Sequence, residues 1–367
     1  MFYPLIDVLR AVAVSLVVVY HVVGLGDWRV FSESIWGLPF QHGWMGVDLF
    51  LVISGFVVTL KAIPEHKRNT EGFRWPFMQR RLRRLVPLYA LTCAVYVFLV
   101  RPEILTRPAL EIIAQVASHA VFLHNLSHLT HGVINGVTWS LALEMQFYLA
   151  LVFCIRWLIK LGAGRVLLLL VAVSWAWRYG MSGLIGPGPG REHMLVVYTT
   201  QLPGTLDAFG FGIALALLVS MSEGFWASRL ASGWSNCLGW LTVTACMLGA
   251  AGYMLTAYDN YWTHPVMVIF FRTLLASGFA AALCVALSCP LQGSGVLRPV
   301  RYLGQISYGI YLWHFPVLLG LLTLPDLRGG NLLVAVYTGA ALLAALSWHL
   351  MESIGSTHRG GAGQVSD

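Results

Sequence analysis

Charge is the property that this sequence has least of. Of its 367 residues, 11% are Asp, Glu, Lys or Arg and 57% are hydrophobic, whereas soluble globular domains carry about 25% charged residues. No polar stretch is long enough for a separate soluble domain. The composition therefore excludes an ordinary soluble protein. It predicts an all-α, polytopic membrane helix bundle, because apolar runs of about 20 residues form spanning helices.

Cysteine is also scarce. The six cysteines lie in or beside apolar runs and lack Cys-x-x-Cys spacing, which predicts buried free thiols rather than a disulfide framework or a zinc site. The formal net charge of +7 comes mostly from one loop, where membrane topology explains it better than nucleic-acid binding. We therefore expect no metal, no permanently bound cofactor and no nucleic-acid partner.

Apolar runs and basic residues together predict the topology. Eight basic residues lie between Lys61 and Arg84, so the positive-inside rule puts this loop and both termini in the cytoplasm. A shorter eleventh run extends from about Ala109 to Leu123. We interpret Ala109 to Asn135 as an outward-side or re-entrant segment and prefer ten spans to eleven. We expect a membrane domain over residues 1–352 and a disordered cytoplasmic tail over residues 353–367. The ten longer runs begin near Leu5, Trp44, Leu85, Thr138, Val166, Leu206, Leu238, Val266, Tyr302 and Leu332.

The first apolar run, DVLRAVAVSLVVVYH, carries three ionisable residues, Asp7, Arg10 and His21. Arg10 and His21 point the same way on an α-helix and stand about 16 Å apart along its axis, and Asp7 lies one turn before Arg10. Ionisable groups inside a membrane usually face a protein interior or a water-filled cavity. The alternative is an ion pair at the membrane surface with the histidine near the far interface. These residues alone do not choose between the two.

Three other runs place an acid or base at a depth similar to that of the histidine in the first run. They contribute Asp48, Glu144 and His314. Each of these residues could also have a purely structural role. Asp48 could cap its helix or pair with a cation, Glu144 could accept structural hydrogen bonds, and His314 could lie at the membrane interface. Each buried charge costs about 3 kcal/mol on insertion scales, so their common depth predicts a shared polar cavity. On its own helix, His314 shares one face with Ser307 and Tyr311.

The third run opens with RRLRRLVPLY, in which every basic residue is an arginine. One interpretation is a cluster that only sets topology. The other is an anion site, because forked guanidinium groups one turn apart bind phosphate bidentately better than lysines do. The pattern favours the anion site, and the residues concerned are Arg80, Arg81, Arg83 and Arg84.

Five motifs in order carry a resemblance to a known family. The first is D-x-L-R-A with its arginine, Arg10, separated by ten residues from His21. The other four are GVDLFLVISGF, FMQRRLRRLVPLY, WSLALEMQFYL and ISYGIYLWHFPV. Together, from about Asp7 to Glu352, they resemble the acyltransferase family 3 of integral membrane proteins. Each motif alone is a weak signal, and five in the family's order are a strong one.

The resemblance implies a bundle of ten helices in the bacterial cytoplasmic (inner) membrane. Such a bundle moves an acyl group, usually acetyl, from cytoplasmic acyl-CoA to a hydroxyl of an exported or lipid-linked glycan, such as an exopolysaccharide or a lipopolysaccharide O-antigen. It implies that Arg10 and His21 are the arginine and the essential histidine of the first helix. One of two overlapping Arg-x-x-Arg pairs, Arg80 with Arg83 or Arg81 with Arg84, would lie at the cytoplasmic mouth.

Two departures from the family pattern bear on the acceptor. The final helix ends LMESIGS, without the proline often found after the glutamate, and we expect no SGNH-type hydrolase domain after it. We therefore expect the acceptor site in the membrane part or on a partner protein. The sequence does not indicate an oligomeric state.

The combined hypothesis is an acetyl-CoA-dependent O-acetyltransferase. His21 acts either as general base or as transient acyl carrier, and Asp48 or Glu144 orients its imidazole. Acyl-CoA phosphates bind Arg10 and the arginine cluster. The expected substrate-binding residues are Trp139, Ser307, Tyr311 and His314.

Two other hypotheses stay open. One is a proton-coupled transporter or flippase in which His21, Asp48 and Glu144 form a proton relay and the arginines only set topology. The other is an inactive relative that binds glycan lipids.

Overall fold

The computed structural model describes residues 3–28, 37–220, 225–258, 261–262 and 264–357. Over these ranges the chain forms fifteen α-helices and no β-strand. A π-helical turn, Tyr96–Val100, extends the fourth helix, and another, Met267–Phe271, precedes the twelfth. The helices are α1 Leu5–Leu25, α2 Leu38–Gln41, α3 Met45–Arg68, α4 Arg74–Val95, α5 Ala109–Ala120, α6 Trp139–Leu161, α7 Ala163–Leu184, α8 Arg191–Thr199, α9 Leu202–Ser220, α10 Phe225–Arg229, α11 Trp234–Ala257, α12 Arg272–Ser288, α13 Arg298–Gln305, α14 Ser307–Leu321 and α15 Gly329–Thr357.

Nine helices in the described part of the chain are long and apolar enough to cross a membrane. The predicted run that begins near Tyr302, the ninth of the ten, is divided at Ile306 into α13 and α14, of 8 and 15 residues. The eleventh run forms α5, whose 12 residues extend about 18 Å, less than the roughly 30 Å of a hydrocarbon core. These observations confirm an all-α polytopic membrane bundle with one short segment.

The distribution of apolar side chains fits a lipid environment. α3, α9 and α12 are the most enclosed spans, and α7 and α11 are the least. The outer helices expose large apolar side chains, for example Leu168 at 73% and Tyr253 at 72%. Exposed apolar surface on this scale is unfavourable in water and favourable against lipid tails.

Glycines allow the helices that carry the site to approach closely. A Cβ at Gly55 of α3 would lie 2.4 Å from the Phe209 carbonyl oxygen of α9, so only glycine fits there. A Cβ at Gly304 of α13 would lie 1.7 Å from the Asp7 carbonyl oxygen of α1. The second contact holds α13, and with it α14, against the start of the first helix.

The remaining predictions concern the C-terminus and the cysteines. α15 continues to Thr357, five residues past the proposed domain boundary, and residues 358–367 of the proposed tail lie outside the described residues. All six cysteines are free thiols. Three are buried as expected, whereas Cys93 is half-buried and Cys154 and Cys246 are exposed on the bundle surface. The prediction that all were buried was therefore wrong, because lipid tolerates a thiol.

Candidate active site

Two distant segments bring two imidazole rings together. α1 carries His21 and α14 carries His314, and the ring centroids are 5.1 Å apart. His314 Nε2 lies 3.2 Å from His21 Nδ1. His314 is fully buried, and Phe315 packs edge-on against the His21 ring at 5.3 Å. We call these two residues the histidine pair.

Tyr311 connects the histidine pair to the bundle interior. Its ring centroid is 5.7 Å from that of His314. Its hydroxyl lies 2.7 Å from Ser140 Oγ and donates to the Val137 carbonyl oxygen at 2.9 Å. Ser307, one turn earlier on α14, lines the same cavity as Tyr311. Of the three α14 residues predicted to share one face, Ser307 and Tyr311 therefore line one cavity, and His314 contacts Tyr311 without lining it.

A cavity of about 100 Å³ lies between α3, α4, α6 and α14. Glu144 is part of its wall, and one carboxylate oxygen accepts hydrogen bonds from Ser54 Oγ at 2.6 Å and from the Tyr148 hydroxyl. We call this space the polar cavity. Its polar lining includes Arg10, Ser54, Arg81, Arg84, Glu144 and Tyr311.

A much larger and more open space adjoins the polar cavity. It has a volume of about 1080 Å³ and is lined by five cationic residues and two acidic ones. Arg10, Val57 and Arg84 line both spaces, so the two are adjacent at these side chains. We call the larger space the cationic basin, and its charged residues are Asp7, Arg10, Lys61, Glu65, Lys67, Arg68 and Arg84.

The arginine cluster is divided between two faces of α4. Arg81 and Arg84 line the polar cavity, and the Arg81 guanidinium also packs over the ring of Tyr148 at 5.5 Å. Arg80 is exposed and pairs with Glu65, and Arg83 is exposed and lines neither space. Of the two overlapping Arg-x-x-Arg pairs, the geometry therefore favours Arg81 with Arg84.

Asp48 is buried but lies in a different environment from the histidine pair. The Arg272 guanidinium donates to its Oδ1 at 2.8 Å and packs over the Trp44 ring at 4.7 Å. Neither Asp48 nor Glu144 forms a hydrogen bond or ion pair with His21. The structure therefore brings neither expected carboxylate to the imidazole, and the group that it does bring there is His314.

A second ion pair lies near Asp48. Arg178 makes a bidentate pair with both carboxylate oxygens of Asp207 at 2.6 Å, and the two aspartates are close enough to interact electrostatically. We call Asp48, Arg178, Asp207 and Arg272 the ion-pair cluster. His21, Asp48 and Glu144 thus each have their own partners and are not linked to one another as a proton relay would require.

Trp139, the last expected substrate-binding residue, stands apart. It begins α6 and stacks on His131 with ring centroids 5.7 Å apart. It lines neither the polar cavity nor the cationic basin.

The sequence analysis did not identify several site residues. Tyr148 follows Glu144 by one helical turn, and this spacing is a local signal that could have identified it. Ser54 lies in the GVDLFLVISGF motif, but a single serine in a helix gives no indication of its partner. Arg272 is 224 residues from Asp48, and no sequence pattern connects the two.

Comparison with known proteins identifies the family of this chain. The chain matches the family Acyl_transf_3, described as "Acyltransferase domain", over residues 3–350. It therefore belongs to this acyltransferase family, as the motifs indicated, and it is an integral membrane protein of that family. No solved structure gives a significant match.

Three relatives illustrate the family. The putative peptidoglycan O-acetyltransferase YrhL of Bacillus subtilis is 29% identical over 95% of this chain and 54% of its own length. The peptidoglycan O-acetyltransferase OatA of Listeria monocytogenes is 27% identical over 95% of this chain and 55% of its own. The O-acetyltransferase OatA of Staphylococcus aureus is 27% identical over 86% of this chain and 50% of its own. The chain spans about half the length of these relatives.

Proposed function

We propose that this protein is a membrane O-acetyltransferase that moves an acetyl group from cytoplasmic acetyl-CoA to a hydroxyl of an exported or lipid-linked glycan. The observation that carries the proposal is the succession of the cationic basin, the polar cavity and the histidine pair. Arg10 and Arg84 line both the basin and the cavity, and Tyr311 lines the cavity and contacts His314. Family membership supplies the acyl-transfer chemistry.

The basin suits the phosphates of coenzyme A. It holds more cations than carboxylates, and arginines bind phosphate oxygens bidentately. With the basin facing the cytoplasm, as the positive-inside rule predicts, the nucleotide part would bind there. The pantetheine arm would extend past Arg84 into the polar cavity toward the histidine pair. His21 lies about 16 Å along α1 from Arg10, a distance comparable with the extended arm.

His21 then has two possible chemical roles. As general base it takes the proton of the acceptor hydroxyl while the hydroxyl oxygen attacks the thioester carbonyl carbon. The carbon–sulfur bond breaks and the thiolate of coenzyme A receives the proton. As acyl carrier the imidazole attacks the carbonyl carbon first, the carbon–sulfur bond breaks and coenzyme A leaves as the thiolate. The acceptor hydroxyl oxygen then attacks the acetyl carbon, the carbon–nitrogen bond to the ring breaks, and the hydroxyl proton neutralises the thiolate.

The proposed acceptor is a glycan, and the first candidate is a peptidoglycan strand or its lipid-linked precursor. Two of the relatives are named for peptidoglycan O-acetylation. Exopolysaccharide and O-antigen are the other acceptors to compare. Ser307 and Tyr311 place hydroxyl groups in the wall of the polar cavity, where they would hydrogen-bond the acetyl donor or the sugar.

The test uses the purified protein in liposomes with acetyl-CoA labelled in its acetyl group. We expect saturable binding of acetyl-CoA, release of the coenzyme A thiol, and label in an alkali-labile ester on one glycan of the acceptor panel. Wild-type protein that does not bind acetyl-CoA would contradict the donor. Binding without transfer to any glycan would contradict the acceptor, and equal transfer by His21→Ala would contradict the site.

A further inference from the structure

The hydrogen bonds of the histidine pair fix the proton positions on both rings. His314 Nδ1 lies 3.3 Å from the Ile310 carbonyl oxygen. A carbonyl oxygen only accepts, so Nδ1 of His314 must carry the proton in this contact. In a neutral imidazole the other ring nitrogen is then an acceptor, and here that nitrogen is Nε2.

The same reasoning applies to His21. Its Nδ1 lies 2.9 Å from the Val17 carbonyl oxygen and 3.2 Å from His314 Nε2. Both neighbours are acceptors, so Nδ1 of His21 carries a proton and donates to both. Nε2 of His21 is then left with a lone pair and makes no hydrogen bond to any described residue.

We propose that His314 is a positioning residue that holds His21 in the tautomer protonated at Nδ1, so that Nε2 is the reactive nitrogen. This inference rests on the proposed acetyl transfer. Nε2 would take the hydroxyl proton or the acetyl group, and either event leaves positive charge on the ring. The bond from Nδ1 to His314 Nε2 strengthens as that charge develops, which is the function that a carboxylate performs beside other catalytic histidines.

The environment suits His314 to this role better than it suits either carboxylate. His314 is fully buried, and its ring is held by the bond to Ile310 and by contact with Tyr311. Asp48 already pairs with Arg272, and Glu144 accepts hydrogen bonds from Ser54 and Tyr148. A neutral acceptor also avoids the cost of placing another charge inside the bundle.

The test combines nuclear magnetic resonance with kinetics on the full chain in lipid nanodiscs. Long-range ¹H–¹⁵N spectra of ¹⁵N-histidine protein report which ring nitrogen is protonated, and the signals lost in His21→Gln identify His21. We expect Nδ1 of His21 to be protonated in the wild type. In His314→Phe, which keeps a ring and removes both nitrogens, the tautomer protonated at Nε2 should appear.

Kinetics provide the second measurement. His314→Phe should lower kcat about 100-fold with unchanged affinity for acetyl-CoA, because the donor site is untouched. His314→Gln, whose amide oxygen can accept from Nδ1, should restore the wild-type tautomer and part of kcat. A merely structural role for His314 predicts equal losses in both variants and a lowered melting temperature.

The outcomes separate this inference from the proposed function. Wild-type His21 protonated at Nε2, or an unchanged tautomer and kcat in His314→Phe, would overturn the positioning role even if transfer is active. The predicted tautomer shift in a protein that transfers no acetyl group would support the geometry and contradict the function instead.

Discussion

The polar cavity and the ion-pair cluster both contain charged side chains, half-buried or exposed in the cavity and buried in the cluster, and they differ in how that charge is balanced. In the ion-pair cluster every arginine has a carboxylate partner: Arg178 with Asp207 at 2.6 Å and Arg272 with Asp48 at 2.8 Å. In the polar cavity, Arg10 pairs with Asp7, but Arg81 and Arg84 form no ion pair with any residue that the structure describes.

This difference distinguishes charged side chains that stabilise the fold from charged side chains that are available to bind a ligand. Paired buried ions satisfy one another, and removing one partner strands the other. Unpaired guanidinium groups next to an open space are positioned to bind an incoming anion. The two regions therefore predict opposite phenotypes. Variants in the ion-pair cluster should lose stability, and variants at the cavity and histidine pair should lose activity or donor affinity.

The largest effect is expected for His21→Ala. Removal of the general base or acyl carrier should lower acetyl transfer about 10³-fold or more. His21 is partly exposed and belongs to no ion pair, so the melting temperature in detergent should stay unchanged. Transfer assays with labelled acetyl-CoA and thermal unfolding of the same preparation measure both quantities. Normal transfer by this variant would remove the central claim.

The next largest effect is expected in the ion-pair cluster, for Asp207→Asn. Asp207→Asn leaves the Arg178 charge buried without its counter-charge, and breaking such a pair costs roughly 3–5 kcal/mol. We expect a large fall in melting temperature and in the yield of inserted protein. Glu103→Gln, which breaks the exposed pair with Arg101, is the matched control and should change neither. A stable Asp207→Asn protein that has lost only transfer would mean that the cluster is part of the site.

A smaller effect is expected for Arg84→Ala at the junction of the basin and the cavity. Loss of a charge-assisted phosphate contact of about 1.5–3 kcal/mol should weaken acetyl-CoA binding by roughly tenfold to a hundredfold. Arg84→Lys should restore part of the affinity, because lysine keeps the charge without the fork. Isothermal titration or equilibrium dialysis measures the dissociation constant.

Arg83→Ala is the matched control for that experiment. Arg83 is exposed on the same helix and lines neither space. Its loss should leave acetyl-CoA affinity unchanged. If Arg83→Ala and Arg84→Ala weakened acetyl-CoA binding equally, the arginine cluster would act only through its overall positive charge and not as a specific phosphate site.

The smallest effect concerns a third polar region, formed by His119, His124 and His131, which lies outside the nine candidate spans. Burial and the neighbouring His119 lower the pKa of His124 to about 3, and burial and His193 lower the pKa of His131 to about 4. In the unfolded chain these histidines bind protons near pH 6.5, whereas in the folded chain they do not. The free energy of unfolding is therefore at its full value above about pH 6.5 and decreases as the pH falls below it.

The measurement is the melting temperature in detergent between pH 7.5 and pH 5. We expect a modest decrease below about pH 6.5, and His124→Gln should reduce this dependence. A melting temperature that rises on acidification would show that these histidines become charged in the folded protein.

Much of the fold could be predicted from the sequence, because a spanning helix is a local property of about 20 apolar residues. The run that begins at Leu5 forms α1, and the short run at Ala109 forms a helix too short to cross. The break at Ile306 was not predicted. It depends on how α13 packs against α1 at Gly304, which is a contact between segments that are far apart in the chain.

The sequence predicted most residues of the candidate site but not the contacts between them. Arg10, Glu144, Ser307 and Tyr311 do line one polar cavity, since helical spacing and depth place them on inward faces. Trp139 has the same local pattern and lies elsewhere. The partner of His21 was expected among the carboxylates, because depth alone does not show which helix is adjacent.

The sequence by itself determined the class of protein, the approximate helices, the family motifs and the spacing of Arg10 and His21 along α1, because apolar length, charge and helical spacing act locally along the chain. Only the tertiary structure decided which charges are paired and which are free. His21 meets His314 across 293 residues and Asp48 meets Arg272 across 224. Such contacts depend on which helices are neighbours in the bundle. Close packing between helix faces sets this arrangement, and no local sequence pattern encodes it.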